Sequence, residues 1–312
     1  MRKVVWDMDP GIDDALALIL ALKSPEVQIL GITTVAGNAS VEMTSANARR
    51  VLEYLNIASI PVAMGAEHPL TRPLEHALSY HGLDGLGDCG LPPPRLPLHP
   101  DKAWEFLARS VLGAPGEITL LATGPLTNVA YAFELHPELP ELLTRLVLMG
   151  GAYGLTPCGK GNRTPFAEFN IWQDPEAAQS VFSSGVDLFA VGLDVSMDPA
   201  ACLTGRHMRQ IRTGRTPAAH LAAQLVECEV KHHGRCRMHD PLALAVLLDD
   251  SLLDFTLANV EIMESDDQDR GVTRILPDSS RLSADSLEAI HVASAVDGPR
   301  FVELFLSRIL EE

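Results

Sequence analysis

Four carboxylates fall inside eight residues near the start of the chain, in Asp7-Met8-Asp9-Pro10-Gly11-Ile12-Asp13-Asp14. Like charges this close repel one another unless a cation lies among them. Helix-start chemistry accounts for part of the set. Asp13 and Asp14 suit a first helical turn, where the peptide dipole favours acids, and Asp9-Pro10 suits a turn. That covers one or two of the acids and leaves the rest. Oxygen donors with no cysteine nearby point to a hard cation, Ca²⁺ or Mg²⁺. A second acid opens a helix at Met238-His239-Asp240-Pro241. Asp followed by Pro is a common helix start, repeated here at Asp174-Pro175 and Asp198-Pro199, so local chemistry alone makes Asp240 a cap. Asn162, Glu168 and Asn170 offer groups suited to sugar hydroxyls, but singly they read as ordinary loop polarity. His81, in His81-Gly82-Leu83-Asp84-Gly85, is an equally weak signal alone.

These side chains need a frame to bring them together. Strand-like apolar runs at 3–6, 27–35, 60–64, 118–122, 146–149 and 188–191 alternate with helical periodicity over 12–22, 41–56, 101–112, 126–135 and 175–183. The βαβα order predicts an α/β fold: a mainly parallel, Rossmann-like sheet flanked by helices. Residues after Pro199 read as mainly helical, with candidate strands at 255–262 and 271–274. The Pro/Gly-rich stretch 68–100 has no clear element and is expected to be an active-site loop. No repeat or linker divides the chain, so residues 1–312 are expected to form a single large domain with a helical C-terminal part. Ligands of such sheets bind outside the carboxyl ends of the strands. The unusual local sequences fall there: the acidic run after the first strand, Ala36-Gly37-Asn38 after the second, Thr123-Gly124-Pro125 after 118–122 and Gly150-Gly151 after 146–149.

Composition narrows the function classes. Of 312 residues, 46% are hydrophobic and 5% aromatic, which predicts a sizeable core of Leu, Val, Ile and Ala. A net charge of −17 repels phosphate backbones, so no nucleic-acid partner is expected and a neutral small molecule fits better. The 5 cysteines are odd in number and form no close pair, which reads as free thiols in a reducing cytoplasm. Cys228, His232, His233 and Cys236 have residue types that zinc takes, but they lie along an expected helix beginning near Pro217 with loose spacing, and zinc is the weaker reading. The first strand runs straight into acids, without a signal-peptide pattern, and no apolar run is long enough for a bilayer. A cytoplasmic protein without membrane contact is expected.

Taken together, the motifs carry more than they do singly. Asp-x-Asp-Pro-Gly-x-Asp-Asp-Ala at 7–15 resembles the opening signature of the inosine-uridine-preferring nucleoside hydrolase family. The similarity continues, in order, through Thr33-Thr34-Val35-Ala36-Gly37-Asn38, Thr123-Gly124-Pro125-Leu126-Thr127-Asn128, Leu148-Met149-Gly150-Gly151, Ala167-Glu168-Phe169-Asn170, Asp174-Pro175-Glu176-Ala177-Ala178 and His239-Asp240-Pro241. The resemblance implies hydrolysis of the N-glycosidic bond of ribonucleosides, pyrimidine and/or inosine-type, to free base and ribose. It implies Ca²⁺ held by Asp9, Asp14, Asp240 and the Thr123 carbonyl, with Asp9 also the base for the attacking water and Asp7 supporting the metal loop from behind. It implies ribose contacts from Asp13, Asn38, Asn162, Glu168 and Asn170, a base pocket lined by His81, and His239 as leaving-group acid. It implies, further, a homodimer or homotetramer.

The residue types suit that chemistry, because glycosidic cleavage develops positive charge on the sugar, which nearby carboxylates favour. One segment departs from the family pattern: Glu227-Cys228-Glu229-Val230-Lys231-His232-His233-Gly234-Arg235-Cys236-Arg237 has no aromatic ring except histidine, where relatives place aromatics against the base. Two other readings compete. An Asp-nucleophile phosphohydrolase wants Thr or Val where Gly11 stands, and a downstream Lys. A non-catalytic ribose- or Ca²⁺-binding protein has no need of the full set of metal, sugar and leaving-group residues.

Overall fold

The computed structural model describes residues 1–265, 267–277 and 289–311. Val4, Val5, Trp6 and Met8 are all buried, as befits a strand covered on both faces. They belong to β1 (Arg2–Met8), which is followed by β2 (Val27–Thr34), β3 (Val62–Met64), β4 (Ile118–Ala122), β5 (Arg145–Met149), β6 (Leu188–Val191), β7 (Leu253–Ala258), β8 (Val260–Ile262), β9 (Thr273–Ile275) and β10 (Ile290–Val296). One 8-stranded sheet runs in the order β3-β2-β1-β4-β5-β6-β10-β7. Every neighbouring pair is parallel except β10 with β7. β8 and β9 form a separate antiparallel pair.

Two apolar cores sandwich this sheet. One gathers Leu16, Leu20, Leu221, Leu225, Phe301 and Phe305, from helices Ile12–Leu22, Pro217–His233 and Gly298–Leu310. The other gathers Leu107, Val111, Val129, Phe133 and Val181, from Ala103–Gly113, Thr127–Leu135 and Pro175–Phe182. The α/β fold with a mainly parallel sheet is therefore as the βαβα order predicts, and its first six strands match expected segments to within a few residues.

The C-terminal third differs from its expectation. The expected strand 255–262 is two elements, β7 and β8, and 271–274 corresponds to β9. Four helices, Gly205–Ile211, Pro217–His233, His239–Ala245 and Gly298–Leu310, fit the helical reading. β10 does not: it inserts between β6 and β7 inside the main sheet. Its sequence, Ile290-His291-Val292-Ala293-Ser294-Ala295-Val296, is short and rich in small residues, and its partners lie far away in the chain. Tertiary pairing rather than local propensity makes it a strand.

The frame brings strand ends together. The Thr123 N–H donates to the Asp7 carbonyl at 2.8 Å, and the Val35 N–H donates to the Met8 carbonyl at 3.1 Å. The loops after β1, β2 and β4 are thereby locked side by side. The stretch 68–100 carries one helical turn, Leu78–His81, which delivers Tyr80 and His81 to the same crevice.

Candidate active site

The floor of the crevice is acidic. Asp9 is fully buried; its Oδ2 accepts the Asn38 N–H at 2.7 Å, while Oδ1 has no hydrogen-bond partner among the described residues. Two loops wrap this carboxylate so closely that a Cβ on Gly37 would stand 2.2 Å from its Oδ2, and one on Gly124 2.9 Å from its Oδ1. Those glycines are required by the approach. Asp14, inside the first helical turn, accepts the Gly11 N–H at 3.0 Å through Oδ2 and the Thr123 hydroxyl at 2.8 Å through Oδ1. Thr123 Oγ1 is in turn fixed by the Trp6 indole N–H at 3.0 Å. Asp7 sits behind this layer, its Oδ1 accepting from Thr33 and Asn128 at 2.6 and 2.8 Å.

Asp13, Asp14 and Asp240 each bring an oxygen within 4.8 Å of the others. Burial, then mutual repulsion, pushes these acids up: Asp13 to about 8, Asp9 and Asp240 well above the carboxylate range. Burial raises Asp14 to about 6, against hydrogen bonds from Gly11 and Thr123 that lower it. Among the described residues no Lys or Arg is hydrogen-bonded to any of them. Of the ligands the resemblance implies, Asp14 and Asp240 thus meet directly and Asp9 and Thr123 adjoin them; Asp13, assigned to the sugar, joins the tight group as well.

Asp240 does not behave as the Asp-Pro pattern predicts. Asp174 caps its helix, accepting the Ala177 N–H at 3.2 Å, and Asp198 accepts the Ala200 N–H at 2.8 Å. The helix His239–Ala245 contains Asp240 in its first turn, begins after Met238 and has no side-chain cap bond. The carboxylate faces the other acids instead.

Polar groups at the pocket wall are half spent on holding the frame. Glu168 caps the helix Phe169–Gln173 through the Asn170 and Ile171 N–H groups, and also accepts from Gly151 at 3.1 Å. Asn170 Nδ2 donates to the Thr123 and Met149 carbonyls at 3.1 and 3.2 Å, and Asn38 Nδ2 donates to the Asp9 carbonyl at 3.1 Å, which leaves each Oδ1 for a ligand. Exposed Asn162 accepts the Phe169 N–H at 2.9 Å. Asp13, Asn38, His81, Asn162, Glu168, Asn170, His239 and Asp240 all line one cavity of about 420 Å³. That volume is within the usual range for small-molecule sites.

The outer end holds the histidines and groups that sequence reasoning missed. His81 Nδ1 accepts the Ile12 N–H at 3.1 Å, so its ring proton is on Nε2 and the residue caps the first helix. His239 Nδ1 lies 2.8 Å from the Ser196 hydroxyl. Burial lowers both imidazoles, to about 4 for His81 and about 3 for His239, so both are neutral at neutral pH. Beside them Tyr80 donates to buried Glu229 at 2.6 Å and accepts from Arg237 at 3.3 Å, with its ring stacked on His233 at 4.6 Å. The aromatic absent from 227–237 is thus supplied by another segment, and no local pattern pairs the two.

The zinc types do not assemble. Cys228 and His232 are 3.6 Å apart on one helix, while Cys236 is buried and bonded through its backbone to Leu203. Among the described residues the acidic trio is the ligand group found, and all 5 cysteines are free.

Known proteins share this architecture. Residues 4–303 match the family model described as inosine-uridine preferring nucleoside hydrolase. A pyrimidine-specific ribonucleoside hydrolase RihA from Shewanella sp. (strain MR-7) is 38% identical, with 99% of this chain and 96% of that protein covered. RihA from Shewanella oneidensis is 41% identical over 80% of this chain and 79% of its own length. Among solved structures, a plant nucleoside hydrolase superposes with a TM-score of 0.91 at 30% identity, covering 100% of this chain and 99% of that one. A purine-preferring ribonucleoside hydrolase from Gardnerella vaginalis gives 0.90 at 33%, covering 99% and 98%. Fold, chain-long similarity and matching motifs agree: the chain belongs to the inosine-uridine preferring nucleoside hydrolase family and is an N-ribohydrolase that cleaves the N-glycosidic bond of ribonucleosides.

Proposed function

We propose that this enzyme acts on pyrimidine and/or inosine-type ribonucleosides with Ca²⁺ held by Asp9, Asp14, Asp240 and the Thr123 carbonyl. The observation that carries the cation is the floor itself: among the described residues carboxylates converge there without a basic hydrogen-bond partner, and Asp9 Oδ1 has no hydrogen bond. An all-oxygen donor set of this kind fits a hard divalent ion. Such an ion, when bound, supplies positive charge that holds and acidifies a water.

The protein's own groups do the rest. Asp9, pinned by Asn38, takes the proton from the attacking water. Asp13, Asn38, Asn162, Glu168 and Asn170 hold ribose hydroxyls, and the acids among them favour the positive charge that grows on the sugar. His239, in the tautomer whose Nδ1 accepts from the Ser196 hydroxyl 2.8 Å away, presents Nε2–H to the departing base. His81 lines the base side with its own Nε2–H.

The relatives divide between pyrimidine-specific and purine-preferring hydrolases. Ribose release from uridine, cytidine, inosine and adenosine therefore decides the base. Fastest release from a pyrimidine nucleoside or inosine is expected, and release from adenosine alone would overturn the preference. Among the described residues no helix is long and apolar enough to cross a membrane. A cytoplasmic homodimer or homotetramer is the proposed state.

A further inference from the structure

The base end of the pocket contains a charged device that the hydrolytic reaction as described leaves unused. Glu229 is 2% exposed, and its Oε2 receives the Tyr80 hydroxyl. Tyr80 has thereby donated its only proton, so its oxygen can only accept from Arg237 Nη1. This fixes the direction of the chain: Arg237 to Tyr80 to Glu229. The remaining guanidinium donors belong to a side chain that lines the same cavity as His239. The acid matters for what Arg237 takes. Glu229 offsets its charge, so the site is not a phosphate trap; it presents fixed N–H donors to a neutral acceptor.

Position selects which acceptor. His239 is 9% exposed and precedes Asp240, whereas Arg237 is only half-buried and is bonded to Tyr80 at the outer end of the cavity. A nucleoside with its ribose over the acidic floor turns the edge of its base farthest from the sugar toward Arg237. We propose that Arg237, positioned by Tyr80 and Glu229, is a specificity-determining residue that donates to an oxo group on that distal edge. It therefore selects uracil- and hypoxanthine-type bases over their amino counterparts.

The chemistry favours this twice. Arginine has no acceptor, so an exocyclic amino group leaves donors facing donors. When the glycosidic bond breaks, its electron pair stays with the base and spreads onto the oxo oxygen, where the guanidinium is placed to stabilise it. Tyr80 and Glu229 are positioning residues in this scheme.

The inference rests on the ribonucleoside reading above, and one experiment separates the two. kcat/KM is measured for uridine against cytidine and for inosine against adenosine, in the wild type, Arg237→Met and Tyr80→Phe. The wild type is expected to favour the oxo member of each pair by about 10- to 100-fold, the scale of a hydrogen bond to a charged group. Arg237→Met should bring both ratios close to unity. Tyr80→Phe, which keeps the ring against His233, should reduce them in part, and it remains informative if the first variant folds poorly. A wild type without oxo preference, or ratios unchanged in both variants, overturns the role of Arg237 while leaving ribohydrolase activity intact. Absence of ribose release from any of the four nucleosides would overturn both readings.

Discussion

The acidic floor and the outer end of the pocket solve the same problem in opposite ways. Both bury carboxylates. At the outer end Glu229 Oε2 accepts the Tyr80 hydroxyl, and Arg237, bonded to the same hydroxyl, offsets its charge. At the floor Asp9, Asp13, Asp14 and Asp240 find mostly each other. A buried charge without a partner is expensive, and proteins retain one where something from outside completes it. The outer end holds one acid with a hydroxyl partner and a nearby cation of its own, although Glu229 Oε1 has no hydrogen-bond partner among the described residues, whereas the floor gathers several acids and leaves their charge to be completed.

The comparison breaks most visibly at the sugar. If the floor and its neighbours are completed by ribose hydroxyls, uridine should exceed 2′-deoxyuridine in kcat/KM by roughly 10⁴ or more, because unpaired buried groups penalise the deoxy analogue. Comparable values would detach Asp13, Asn38 and Asn170 from the sugar.

Asp9→Asn comes next. It removes the proton acceptor and an expected ligand together, and kcat should fall by roughly 10³-fold or more with circular dichroism unchanged. A variant that keeps a tenth of its activity would remove Asp9 from the mechanism.

His239 tests the boundary between the two regions. His239→Ala should slow uridine or inosine by roughly 10²-fold, the lower end of the range for proton donation, because a neutral imidazole is a weaker donor than its cation. A nitrophenyl riboside, whose leaving group departs unaided, should be slowed far less. Equal losses on both substrates would exclude His239 as the group that assists the base.

The smallest effect is on stability, and its sign separates floor from rim. Without a cation, Asp13 and Asp14 sit near 8 and 6, against an ordinary 3.8. The folded chain then holds protons that the unfolded chain releases, so this stabilisation is full below about pH 4 and is lost as pH rises through about 6 to 8. In chelator, Tm should fall between about pH 5 and pH 8. Added Ca²⁺ should raise Tm most at the upper end, where the carboxylates are ionised. A Tm in chelator that rises over that interval would contradict the uncompensated floor.

Sequence made the floor legible because four acids in eight residues have no economical explanation without a cation. The first six strands were legible because long apolar runs and helical periods alternate cleanly. Asp240 was not legible locally, since its Asp-Pro context is shared with Asp174 and Asp198, which do serve as caps. Only its motif neighbours and the fold single it out. β10 was hidden because its small residues carry weak strand propensity, and its place in the sheet depends on β6 and β7. The Arg237–Tyr80–Glu229 chain was hidden for a similar reason, its members coming from a loop and a helix distant in sequence.

The central claim is that the floor is completed by a divalent cation. The direct measurement is nucleoside hydrolysis by exhaustively chelated protein, with metal content checked by elemental analysis, before and after Ca²⁺ is restored. Loss of activity on removal and its return on addition, with Asp240→Ala failing to recover, is the predicted result. Full activity in protein shown to contain no metal would contradict it.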